Sequence, residues 1–283
     1  MAIKKIMVPL GSNARNQVVL ETAFAAAQRF GAHLEVLYIR PDPRFAVPYA
    51  TLGMSGSMKK TIMESARQSA NEQAAKTRAA FEKFCGKHGI PIVKRPPAEA
   101  PVSASWREGV GNQSDVVAQR GLYADLIVVP RPLAASAAAE MLEAALLQTG
   151  QPVLIVPPQS QECVANRIAI GWNASAEAAR AVAAAMTCLT VADAVTILIS
   201  PKRAASAKDL AGHLVWHGVK ASVRQFRVGT RSVGETLLAD ARALKADLLV
   251  IGGYSHVRAR ELLFGGVPRH ILAATEIPVL MAH

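Results

Sequence analysis

One stretch of this sequence is written twice. Lys5-Ile6-Met7-Val8-Pro9-Leu10-Gly11-Ser12 resembles Arg167-Ile168-Ala169-Ile170-Gly171-Trp172-Asn173-Ala174-Ser175, each an apolar run ending in small polar residues that can cap a helix. Alanine-rich helical patterns follow in both copies, through Ala23, Phe24, Ala27 and Phe30 and through Ala178, Val182, Met186 and Leu189. Second apolar runs come next, at residues 34–39 and 195–199. Residues 123–129 then match 245–251, and residues 151–156 match 277–281. Strands alternating with helices predict a parallel sheet covered on both faces and built with right-handed crossovers. The expected boundary is the proline and polar stretch Pro157-Pro158-Gln159-Ser160-Gln161, dividing the chain into units 1–157 and 163–283.

The copies differ where a ligand could bind. Gly11 to Pro152 is about 36 residues longer than Asn173 to Pro278. Most of the excess is assigned to a Pro, Gly and Ser-rich insertion at residues 41–58 and the longer helical pattern after it. That insertion is read as a lid over the first cleft or as a second, apolar ligand site. For Met54, Met58 and Met63 beside it, gap-filling core is the default reading.

In the second copy, Leu248-Leu249-Val250-Ile251 runs into Gly252-Gly253-Tyr254-Ser255-His256, with Gly265-Gly266-Val267-Pro268 after a basic segment. Strand, glycine loop and helix N-terminus form a cradle of backbone N–H groups suited to a phosphate. Pro268 fits the first turn of the helix that follows. The rival reading is structural, with Gly265-Gly266 a tight corner only. At the same place the first copy has Pro130-Arg131-Pro132, and proline donates no N–H, so that site is expected to be lost.

Composition narrows the classes. At 283 residues, 51% apolar and 19% charged, the chain has ample core and is not disordered. No apolar run approaches the roughly 20 residues of a membrane helix, and the start is too short a stretch for a secretory signal. Cys85, Cys163 and Cys188 lie far apart, which argues for a reducing cytoplasm and against disulfides or a cysteine metal site. The net charge of +11 is spread along both halves, and aromatics are only 5%, without the basic–aromatic interleaving of a base-stacking surface. A small anionic ligand fits better than nucleic acid.

These elements, and the run IGGYSHVRARELLFGGVPRHIL, resemble the universal stress proteins, here as a tandem pair. The resemblance covers essentially the whole chain, strongly in the second half and weakly in the middle of the first. It implies an α/β fold of two Rossmann-like (adenine nucleotide alpha hydrolase-like) domains, each a mostly parallel five-stranded sheet covered by helices. It also implies a pseudo-dimer of the two domains, paired through residues 153–156 and 279–281, and leaves a further homodimer open.

Nucleotide-binding relatives hold ATP or AMP through the pattern G-x2-G-x9-G-[ST], with an aspartate at the end of the first strand. Here Gly252 and Gly265 fit the first and third glycines. Ser255 stands for the second glycine, Gly266 for the Ser or Thr, and Asn173 for the aspartate, with Gly11 there in the first copy. The resemblance thus assigns cofactor binding to Gly171, Asn173, Gly252, Gly253, Ser255, His256, Arg258, Gly265, Gly266 and Val267. Magnesium is expected with ATP. Arg258 is weighed evenly between phosphate and solvent, and Arg260 is read as solvated.

The reading is a cytoplasmic nucleotide-binding stress regulator with no catalytic residue and no metal ligand. Its alternatives are a nucleotide-free scaffold and a slow ATPase. Other signals read as decoys. Gly229 to Gly234 has P-loop spacing, but Glu235 replaces the lysine and forms an S-x-x-E capping box with Ser232. Gly109-Val110-Gly111 follows no clear strand. His213 and His217 are read as surface residues, not a metal pair.

Overall fold

The computed structural model describes residues 2–11, 15–46, 55–95, 102–132, 136–161, 163–253 and 266–283. The first half contains β1 (Lys5–Leu10), α1 (Asn16–Phe30), β2 (His33–Arg40), α2 (Gly56–His88) and β3 (Ser103–Val110). It continues with α3 (Gln113–Gly121), β4 (Leu126–Pro130), α4 (Ala137–Gln148) and β5 (Val153–Val156). The second half repeats the order with β6 (Arg167–Gly171), α5 (Ala176–Ala184), α6 (Met186–Leu189), β7 (Ala194–Ile199) and α7 (Ala204–Val215). It ends with β8 (Ala221–Gln225), α8 (Val233–Ala243), β9 (Leu248–Gly252), α9 (Gly266–Ala274) and β10 (Val279–Ala282).

All ten strands form one sheet, in the order β3-β2-β1-β4-β5-β10-β9-β6-β7-β8. Each half is parallel throughout, and its first strand lies between its second and fourth. The halves join where β10 runs antiparallel to β5, with Leu280 opposite Leu154. This is the α/β architecture expected from the alternating pattern, and β4 and β5 are buried at every position, as strands covered on both faces must be.

Because side chains alternate along a strand, the sheet supports two cores. Ile6, Val8, Leu154, Val250 and Leu280 pack on one face with Ala23 of α1, Phe81 of α2, Ala181 of α5 and Leu210 of α7. Met7, Val153, Leu249 and Met281 pack on the other with Met141 of α4, Leu237 of α8 and Ile271 of α9. Both cores run unbroken across the β5–β10 seam.

The excess length of the first copy is largely α2, whose start is capped by Ser55 accepting from the Met58 amide at 3.2 Å. Its counterpart α7 has 12 residues against 33. The insertion is thus partly helix, since α2 begins at Gly56 and Pro43–Ala46 form a 3-10 turn. Met58 is 56% exposed on α2, so it is not core, and Met63 is half-buried. Residues 47–54 of the expected lid, Met54 among them, lie outside the described residues. A second correction concerns Gly109-Val110-Gly111, which forms the end of a strand, β3, and the turn after it. The turn serves as a helix start, with Asn112 accepting from the Ser114 amide at 2.9 Å. No helix among the described residues is long and apolar enough to cross a membrane.

Candidate functional site

In the second half β6 is flanked by β7, which the chain reaches next, and by β9, which it reaches only after crossing back from β8. Such a reversal opens a crevice at the carboxyl ends of the strands, where ligands of open α/β sheets bind. A cleft of about 660 Å³ lies there. Its walls come from the ends of β6, β7 and β9, the stretch after β8, and the N-terminus of α9.

The backbone around it is held tightly. Asn173 accepts the Ser175 amide at 3.1 Å through its side-chain oxygen, and Ser175 then caps α5 by accepting the Ala178 amide at 3.2 Å. Between them Ala174 has φ 57, a left-handed conformation unusual for a residue with a Cβ. Gly252 sits so close to α5 that a Cβ would lie 2.5 Å from the Ala178 nitrogen. The Gly253 amide donates to the Ala282 carbonyl at 2.7 Å. Gly266 opens α9 at φ 77, and Pro268 lies in that first turn, where no amide is required.

Of the expected ligand residues, Gly171, Asn173, Gly252, Gly253, Gly266 and Val267 all line this cleft. Ser255, His256, Arg258 and Gly265 lie outside the described residues, as does Arg260. The structure adds groups that sequence reasoning missed. Phe226, Val228, Val233 and Ile251 give the cleft an apolar wall, and Trp172 also lines it, with its indole N–H donating to the Ser206 hydroxyl at 3.3 Å. Arg203 is the one charged residue lining the cleft among the described residues. It donates to the Asn173 carbonyl from the turn after β7. Its signal was positional, since it follows the carboxyl end of a strand predicted at residues 195–199.

The first half keeps a cleft of about 540 Å³ at the corresponding edge, with a different lining. Pro130, Asp42 and Glu140 border it, and no basic residue does among those described. Gln113 has moved into the space beside Gly11, its amide nitrogen 2.5 Å from where a Cβ would be. Arg131 holds the place that Gly253 has in the second copy, since its amide donates to Val156, the end of β5, at 2.8 Å. Its side chain crosses the seam to donate to the carbonyls of Ala273 and Thr275, at 2.9 and 3.1 Å, at the C-terminal end of α9. Burial and the nearby Arg15 charge lower the Arg131 pKa.

The remaining signals find ordinary explanations. Ser232 and Glu235 form the expected capping box of α8, with bonds of 2.7 and 3.2 Å. Hydrogen bonds from the Ser232 backbone and hydroxyl hold the Glu235 carboxyl below its usual value. The His213 and His217 rings meet edge-on at 5.0 Å, both exposed, at the C-terminal end of α7 and the turn after it. All three cysteines are free. Burial raises Cys85 to about 11 and Cys188 to about 12, while Cys163 is exposed.

Comparison with known proteins adds a family and a fold. The model of the universal stress protein family matches residues 2–157, the half in which the sequence resemblance was the weaker. A universal stress protein from Archaeoglobus fulgidus has a similar structure, with TM-score 0.69 at 13% identity over 98% of this chain and 95% of that one. A Pseudomonas aeruginosa protein provisionally described as a universal stress protein aligns over 99% of this chain and 93% of its own, with TM-score 0.59 at 15% identity. No curated protein gives a significant sequence match.

Proposed function

The chain belongs to the universal stress protein family, and from that membership we propose that its second half binds an adenine nucleotide, ATP or AMP, as a cytoplasmic stress-response regulator. The observation that carries this is the meeting, at one switch-point cleft, of the α9 N-terminus, the Arg203 guanidinium and an apolar wall through Phe226 and Val228. The helix terminus and the arginine suit phosphate, and the apolar wall suits a base. The volume lies in the range of roughly 300–1,000 Å³ usual for small-molecule sites. No carboxylate lines the cleft among the described residues, so magnesium would arrive with the triphosphate. The same lining favours a binder over an enzyme.

Calorimetric titration with ATP and with AMP tests this on the wild type, Arg203→Glu and Val267→Asp. The aspartate is compatible with the α9 N-terminus but repels phosphate there. Each variant is expected to weaken binding by about tenfold. Equal heats from all three proteins, or no heat from the wild type, overturn the site.

One observation favours a nucleotide-free scaffold instead. A Cβ at Gly252 or Gly253 would strike backbone atoms, and the Asn173 oxygen already serves its own turn. These residues thus have structural reasons to be present. Native mass spectrometry of the purified protein separates the two readings, since a co-purifying nucleotide is incompatible with the scaffold.

A further inference from the structure

On the opposite side of the first half from α3 and α4, α1 and α2 meet in an aromatic cluster. Phe24 packs edge-on to Phe84 at 5.9 Å, and the His88 ring lies 4.8 Å from Phe24 and 4.6 Å from Phe84. Toward the N-terminal turns of α1 the two helices leave a groove of about 510 Å³ between them. Its floor is apolar, with Leu10, Leu20 and Phe84 all buried.

The rim is basic. Lys76, Lys83 and Lys87 of α2 line the groove, and their spacing puts them on one face of the helix. Across from them on α1, Glu21 is already engaged. Gln17 donates to it at 3.0 Å, and hydrogen bonds from Gln17 and Ser160, helped by Lys87, hold its carboxyl below the ordinary range. The ion pairs of α2 among the described residues join Lys60 to Glu64 and Arg78 to Glu82, leaving Lys76 and Lys83 in none. A merely solvated lysine face needs no apolar trough beneath it. Here Lys76 and Lys83, in no ion pair among the described residues, line one together with Glu21.

We infer that this groove binds an amphipathic anion of the fatty-acid type, its chain against Leu20 and Phe84 and its carboxylate at Lys76 and Lys83. Charge complementarity selects the head group, and withdrawal of the chain from water supplies the driving force. The site shares no residue with the nucleotide cleft and does not depend on it.

Calorimetry with decanoate and with decanol tests the inference on the full chain. The wild type is expected to bind decanoate saturably and decanol more weakly. Replacing both lysines, as Lys76→Gln with Lys83→Gln, should weaken decanoate about five- to tenfold and leave decanol unchanged. Ala80→Trp, which fills the groove from an exposed position, should abolish both, with thermal melting to show that it folds. The inference fails if decanoate does not saturate or if decanol binds equally well. It also fails if the double lysine variant binds decanoate as the wild type does, or if ATP competes with decanoate. Should Ala80→Trp not fold, the lysine pair decides alone.

Discussion

At Gly252 the absent side chain serves packing before it serves any ligand. A Cβ there would stand 2.5 Å from the Ala178 nitrogen and 2.8 Å from the Glu177 carbonyl carbon, both backbone atoms of the first turn of α5. Neither can yield as a flexible side chain would. Gly252→Ala is therefore expected to cost about 1–3 kcal/mol, the range for inserting a methyl into packed structure. Gly229→Ala, where nothing lies within 4 Å, should stay within about 0.5 kcal/mol. Urea unfolding of both variants checks the contrast, and equal losses would refute it. The sequence pointed to Gly252 but could not say what approaches it, because a glycine looks the same whether its neighbour is a helix or a phosphate. Arg203 was harder still. One arginine among 32 basic residues carries no signal until the β6–β7 crossover places it beside Asn173.

Elements were legible in proportion to their burial. β1, β2, β4 and β5 and their repeats read as apolar runs because both faces are covered. β3 and β8 did not, since they are the edges of the sheet and β8 exposes all but its first residue. Edge strands keep polar side chains on both faces, so the run that marks a buried strand is missing. The end of α9 was equally invisible, because its cap comes from the other half of the chain. Arg131 donates to two carbonyls there, where the partial negative charge of the helix gathers. Arg131→Met keeps much of the apolar stem and removes both bonds. It should lower stability by about 1–2 kcal/mol. Hydrogen exchange is expected to rise first at the C-terminal turn of α9, and unchanged protection there would contradict the capping role. If the second cleft binds nucleotide, the same variant loosens the helix that opens onto it.

The molecule as a whole is continuous through the seam, and that continuity should be measurable. Leu154 and Leu280 face each other across β5 and β10, each 1% exposed, in a core that reaches from Ile6 in the first half to Val250 in the second. The opposite face repeats the arrangement with Val153 and Met281. Two units that shared only a polar boundary would unfold separately, as loosely joined domains do. Here neither half can expose its last strand without opening both cores. Unfolding is thus expected as one calorimetric transition, with the measured enthalpy equal to the van't Hoff value. Leu154→Ala, which removes a large side chain from the shared layer, should cost about 2–5 kcal/mol and move that whole transition downward. Two resolved transitions in the wild type, or a variant that shifts only part of the signal, would show that the halves are independent. The duplicated pattern made the two units visible in the sequence. Their fusion into one cooperative body depends on Leu154 and Leu280 meeting in register, and nothing in either strand alone states which strand it will meet.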